Sequence, residues 1–221
     1  MKLFNAWGCA ALIGLALTAH GAHAVAVNSA ANVPSETVSA DARYLAQWVL
    51  DTHDHQGQPF ALVDKKAARI YVFSARGQLL GASAALLGSA SGDESMPGVG
   101  QLVPSQIPVA HRTTPAGRFA SEPGRNSSGE DIVWFDYDAG LALHRLRPAP
   151  AREQRPVRMA SPTPEDNRIS LGCVVVPVAF YEGVVGPLLG RQRGVVYVMP
   201  EAQPVQALFG PRQLMAALNK P

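Results

Sequence analysis

The sequence predicts a single mostly-β domain, a β-sandwich or mixed sheet carrying a few short helices. Three observations lead there. The chain is rich in breakers, with 18 prolines and 20 glycines among 221 residues. Its apolar residues fall in short runs of β-branched and aromatic side chains separated by turn-forming residues. Only one stretch before the last third, Ala40 to Thr52, shows helical periodicity.

Residues 1–24 read as a secretory signal peptide. Lys2 supplies the positive start, Ala10 to Ala19 the apolar stretch, and Ala22-His23-Ala24 a small-x-small cleavage pattern. The apolar stretch is too short to span a bilayer, and no later segment has some 18 unbroken apolar residues. Residues 25–55 read as an N-terminal tether followed by a helix. Ser39 is placed to cap that helix, and Leu45, Trp48, Val49 and Thr52 form its apolar stripe.

Residues 56–202 hold the main domain. Phe60 to Asp64, Ala68 to Ser74 and Gln78 to Ser83 are joined by Lys65-Lys66 and Ala75-Arg76-Gly77, which predicts a β-meander. Gly88 to Pro108 is a long Gly/Ser/Pro loop, a length that points to a functional or mobile segment. Arg112 to Phe119 is a turn feeding a short strand, and Asp131 to Tyr137 and Ala139 to Leu146 are two further strands. Pro148 to Pro164 reads as an irregular, arginine-rich insertion. After Pro177, Val178 to Val185 has helical spacing, and Gly194 to Met199 is the last strand. Residues 203–221 form a C-terminal tail with an amphipathic stretch, Val205 to Leu218.

The formal charge of +2 and the lack of any basic run exclude a phosphate track, so no nucleic-acid partner is expected. Monomer is the default assembly. The two cysteines are Cys9, inside the signal segment, and Cys173. Once the signal is removed, the remaining thiol has no internal partner, which suits a bacterial envelope compartment. Cys173 lies in Asn167-Arg168-Ile169-Ser170-Leu171-Gly172-Cys173, just before three valines. In that turn it reads as a nucleophile. The competing reading is a buried structural thiol, since free cysteine is among the most buried residue types.

A cysteine nucleophile needs a base. His144 sits mid-strand in Leu141-Ala142-Leu143-His144-Arg145-Leu146, where alternation sets it on one face and Leu143 on the other. The alternative is a hydrogen-bonded structural histidine. Gly172 permits a tight turn before Cys173 that can aim amides at a carbonyl oxygen. Thr52-His53-Asp54-His55 is a poor metal site, because histidines at i and i+2 near a helix end do not share a face. Arginines between Arg145 and Arg168 form a basic rim suited to a carboxylate-bearing peptide.

Thr114-Pro115-Ala116-Gly117-Arg118-Phe119, the strand histidine His144, and Ser170-Leu171-Gly172-Cys173 together resemble the catalytic domain of L,D-transpeptidases, the YkuD-type fold. The resemblance covers roughly Pro59 to Pro200. It implies Cys173 as the acylated nucleophile with a lowered pKa, His144 as its base, and Gly172, Ser170 and Leu171 as residues shaping the oxyanion turn and positioning substrate. Arg168 and Asn167 are weaker substrate-binding candidates. The implied partners are peptidoglycan tetrapeptide stems, an amine acceptor on another stem or an envelope protein, and carbapenem-type inhibitors. The implied location is the periplasm or cell envelope, with no metal or organic cofactor.

Three departures stand out. Leu171 replaces the family's usual histidine or aromatic residue. Val175 replaces an arginine or asparagine, which raises the alternative of a weakened member that binds peptidoglycan as a scaffold. The 29-residue interval from His144 to Cys173 is long, and the Pro148–Pro164 insertion accounts for it. Sortases also place histidine before cysteine, but their Thr-Leu-x-Thr-Cys signature is absent. NlpC-type peptidases have the opposite order.

Overall fold

The computed structural model describes residues 38–211, so the expected signal segment, most of the expected tether and the end of the expected tail lie outside the described residues. Helix α1 (Ala40–Thr52) begins at Ser39, whose hydroxyl accepts the Ala42 N–H at 3.0 Å and donates to Asp64 at 2.6 Å. One serine thus caps the helix and ties it to the end of β1 (Phe60–Asp64). The helix ends at His53, in the left-handed region at φ 55°. Its Ala42, Leu45 and Val49 are buried against Phe60, Leu62, Tyr71 and Tyr197. Burying Leu45 or Val49 fully contributes about 2 kcal/mol each.

The predicted meander is present as β1, β2 (Arg69–Phe73) and β3 (Leu79–Ala84), followed by the short β4 (Leu87–Gly88). Then come β5 (Gly117–Arg125), β6 (Asp131–Asp136) and β7 (Leu141–Arg145). Helix α2 (Arg155–Ala160) lies in the insertion, and β8 (Arg168–Ser170) and β9 (Val174–Val176) flank Cys173. Helix α3 (Val178–Phe180) continues through a π-helical turn, Tyr181–Val185, into α4 (Gly186–Leu188). Strand β10 (Gly194–Val198) and α5 (Val205–Leu208) complete the described chain.

Eight strands form one mixed sheet in the order β3-β2-β1-β10-β5-β6-β7-β9, and β4 pairs with β8 in a separate two-stranded ribbon. The pairs β1–β10 and β7–β9 are parallel. Leu86 follows β3 and bridges Val175 of β9, so the two ends of the sheet are joined. The face carrying Val63, Ile70, Val133, Leu143, Val174 and Val196 forms the main core. On the opposite face α1 covers β1, β2 and β10, while Met159 of α2 packs on Val175 and Leu86. Among the described residues no helix is long and apolar enough to cross a membrane.

Two segments differ from expectation. Strand β5 runs on to Arg125, beyond the predicted end at Phe119. Past Ser121 it has no β10 partner and pairs only with β6, so Pro123 and Gly124 stand on an open edge, where a missing N–H costs nothing. The insertion is not wholly irregular, because α2 forms there with Pro156 in its first turn and Met159 buried. The Gly88–Pro108 loop is tied down by the buried Lys65. Its ammonium donates to Gly92 O at 2.6 Å, Asp93 at 2.7 Å and Thr114 O at 3.0 Å.

Candidate active site

The turn between β8 and β9 is built by hydrogen bonds from two short side chains, Ser170 and Thr114. Ser170 is buried, and its hydroxyl donates to Cys173 O at 2.7 Å while accepting the Gly172 N–H at 3.1 Å. Gly172 has φ +131°, and a Cβ there would stand 2.6 Å from Thr113 O. Only glycine fits both the conformation and the space. Thr114 donates its hydroxyl to Gly172 O at 2.9 Å and accepts the Gly88 N–H at 2.9 Å. The Thr-Pro segment and the cysteine turn, some 60 residues apart in sequence, are thereby locked together. Leu171 is half-buried beside them.

The half-buried Cys173 thiol accepts the Ala142 N–H at 3.5 Å and lies 3.8 Å from Gly140 O. Register places Val174 opposite Leu143 and Val175 opposite His144. Leu143 enters the main core, so His144 stands on the other face, as alternation predicts. Ala142 and His144 are two residues apart on one strand, which sets the histidine about 7 Å along the strand from the thiol's amide donor. The His144 ring is 8% exposed, and its Nδ1 lies 2.8 Å from Arg145 O. A carbonyl only accepts, so Nδ1 carries the hydrogen and Nε2 holds a lone pair. No hydrogen bond joins this ring to the thiol among the described residues.

Electrostatics keep both groups neutral. Burial pushes the Cys173 thiol up. The Ala142 N–H and the charges of Arg147 and Arg155 oppose that rise without cancelling it. The expected lowered thiol pKa is therefore not found, because the solvent lost on burial outweighs the charges gained. Burial takes His144 down to about 4. The Arg145 carbonyl works against the fall, Arg147 and Arg155 add to it, and Glu130 opposes it.

Asn167 is buried with its amide donated to Ala85 O at 3.1 Å. Arg168 is bound by Glu201 and donates to Lys65 O at 3.1 Å. Both are thus engaged inside the fold, and the cations acting on the thiol are Arg147 and Arg155. Arg147 lies 2.7 Å from Glu130, and Arg155 lies 2.6 Å from Glu153. Sequence reasoning placed them only in a general basic rim. Only the return of the insertion onto β9 distinguishes them from the other arginines. The His53/His55 segment holds no metal constellation: the two His55 ring nitrogens face Val49 O and Ala75 O at 3.3 and 3.1 Å.

Val175 is fully buried under Met159, Leu86, Leu146 and Ile169. A polar residue at that position would be buried without a partner, so the departure is matched by the insertion packed over it. The outer face of β5, β6 and β7 lies beyond the reach of α1. Trp134 of β6 stands directly opposite Ala142 of β7, and Glu122 of β5 opposite Trp134. Cys173 thus sits at the margin of a partly open sheet face. Neither the protein-family models nor the curated proteins include a match to this chain.

Proposed function

We propose that this protein is an exported cysteine L,D-transpeptidase of the cell envelope, acting on peptidoglycan tetrapeptide stems through a Cys173 acyl-enzyme. The observation that carries the proposal is the pairing of the thiol turn with the β7 histidine. A thiol held by Ala142 N–H stands two residues along β7 from a histidine whose Nε2 lone pair is free to accept a proton.

In the proposed reaction Cys173 Sγ attacks the carbonyl of the L-centre of the diamino acid, and its proton passes to His144 Nε2. Because both groups are neutral at rest, proton transfer accompanies S–C bond formation and no resting ion pair precedes it. The developing oxyanion needs a donor. The Gly172 N–H is taken by Ser170, whereas the Cys173 N–H makes no hydrogen bond among the described residues. That amide is the natural donor, and one such donor contributes about 3–4 kcal/mol. The C–N bond to the terminal D-alanine then breaks as His144 returns the proton to the leaving amine. An amine on another stem or an envelope protein, or water, attacks the thioester and regenerates the thiol.

Intact-protein mass spectrometry with a carbapenem tests this. One adduct per chain, lost in Cys173→Ala, is the expected result. A second reading is a wall-binding scaffold that has lost catalysis, favoured by the raised thiol pKa and the missing thiol–imidazole hydrogen bond. Absence of any adduct in folded protein, with muropeptide binding retained in Cys173→Ala, selects it.

A further inference from the structure

Beyond the thiol, the same sheet face carries a second recognition feature. Past Ser121, β5 projects without its β10 neighbour, and the notch so formed is a cavity of about 410 Å³ lined by Gln58, Ser121, Glu122, Trp134, Tyr137 and Arg193. The Trp134 and Tyr137 rings meet edge to face, with centroids 5.2 Å apart. Tyr137 is 72% exposed, so one side of the aromatic pair is open to the solvent. The Cδ1–Nε1 edge of the indole comes against the backbone at Gly124, where a Cβ would stand 2.4 Å from Trp134 Cδ1 and 2.6 Å from Nε1. Glycine there lets the strand approach the ring edge and hold the ring in place.

A further observation points to a ligand. At the rim, Arg193 and Glu122 pair loosely at 3.7 Å and both remain largely exposed. With Gln58 they offer a guanidinium donor, a carboxylate acceptor and an amide that does both.

An aromatic platform bordered by groups that both donate and accept matches a pyranose ring. Such a ring has an apolar C–H face and a circumference of hydroxyls that donate and accept in turn. An apolar peptide would leave the charged rim unpaired, and a nucleic acid would find a carboxylate among the donors.

We infer that the Trp134–Tyr137 notch is a carbohydrate-binding site, one strand from the Ala142 amide that touches Cys173, which seats a sugar ring of a glycan chain. Its neighbourhood to the thiol gives it meaning for substrate choice only on the proposed function, but binding itself is independent of that function.

The test uses Cys173→Ala protein, so that no outcome depends on acyl transfer. Chitotetraose and cellotetraose are titrated while the Trp134 and Trp48 indole N–H resonances are followed by NMR. Trp48 of α1 packs on Phe209 and serves as the internal control. The expected result is a saturable shift of Trp134 with either sugar and none at Trp48. Tyr137→Ala, at an exposed position that leaves the fold intact, weakens binding roughly tenfold. No shift with either tetrasaccharide at millimolar concentration overturns the inference, as does binding unaffected by Tyr137→Ala. Sugar binding without a carbapenem adduct in the wild type would leave this site standing and remove the transpeptidase.

Discussion

The Thr114 hydroxyl and the Gly172 carbonyl form a buried hydrogen bond that joins two distant segments at the cysteine turn. Thr114→Val keeps the shape and removes the hydroxyl, leaving Gly172 O and the Gly88 N–H unpaired. The expected loss is about 2–4 kcal/mol in urea unfolding. Carbapenem acylation slows with it, and Thr114→Ser restores both.

The neutral His144 makes stability pH-dependent in a defined direction. Its folded pKa, about 4, lies below the ordinary 6.5, so between those values the unfolded chain binds the extra proton. The contribution is complete above pH 6.5 and fades as pH falls toward 4. Urea midpoints measured from pH 7.5 down to 4 are expected to fall across that window. In His144→Gln this component of the fall disappears.

A thiol whose pKa is raised by burial reacts slowly with simple alkylating agents. Iodoacetamide modification of Cys173 should show a pH midpoint above the ordinary cysteine range, while carbapenem acylation proceeds at neutral pH. Equal pH midpoints for the two reagents would contradict proton transfer coupled to attack.

Val175 and Met159 should fail differently when changed. Met159→Ala opens a cavity over Val175 and costs about 2–5 kcal/mol. Val175→Asn instead buries an amide in an apolar cluster and costs about 1–3 kcal/mol or more. Thermal unfolding of both, with carbapenem labelling of the surviving folded protein, separates a packing role from a catalytic one.

Lys65 is a buried ammonium held by Asp93 and by the carbonyls of Gly92 and Thr114. Burial works to raise the Asp93 carboxyl, but hydrogen bonds from Lys65 and from the Glu201 and Ala202 amides prevail and hold it below its usual range. Lys65→Met removes the only cation on that carboxylate among the described residues and leaves it the two amides alone, with an expected cost of about 3–5 kcal/mol. The Gly88–Pro108 loop then becomes the first site of limited proteolysis.

Local patterns made the α1 helix, the meander and β10 legible in sequence, because apolar period and turn residues agree there. Alternation also put His144 on the face away from Leu143, one pleat from the Cys173 donor. What escaped notice depends on distant partners. The extension of β5 through Pro123 is possible only because β10 begins at Gly194, opposite Ser121. The roles of Thr114, Arg147 and Arg155 come from segments far from Cys173 in sequence folding onto one turn. Burial, which no spacing reveals, reversed the expected shift of the thiol.

The placement of β10 between β1 and β5 has a consequence for how the molecule comes into being. Phe60 pairs with Val195 and Val63 with Val198, so the centre of the sheet is closed by the strand that is synthesised after all the others described. Until β10 arrives to wedge between them, a growing chain holds β1–β3 and β5, β6, β7 and β9 together by strand pairing only through the Leu86–Val175 bridge and the β4–β8 ribbon. Completion of the sheet therefore waits for β10. A copy shortened before Gly194 is left with two raw inner edges in place of a smaller stable protein.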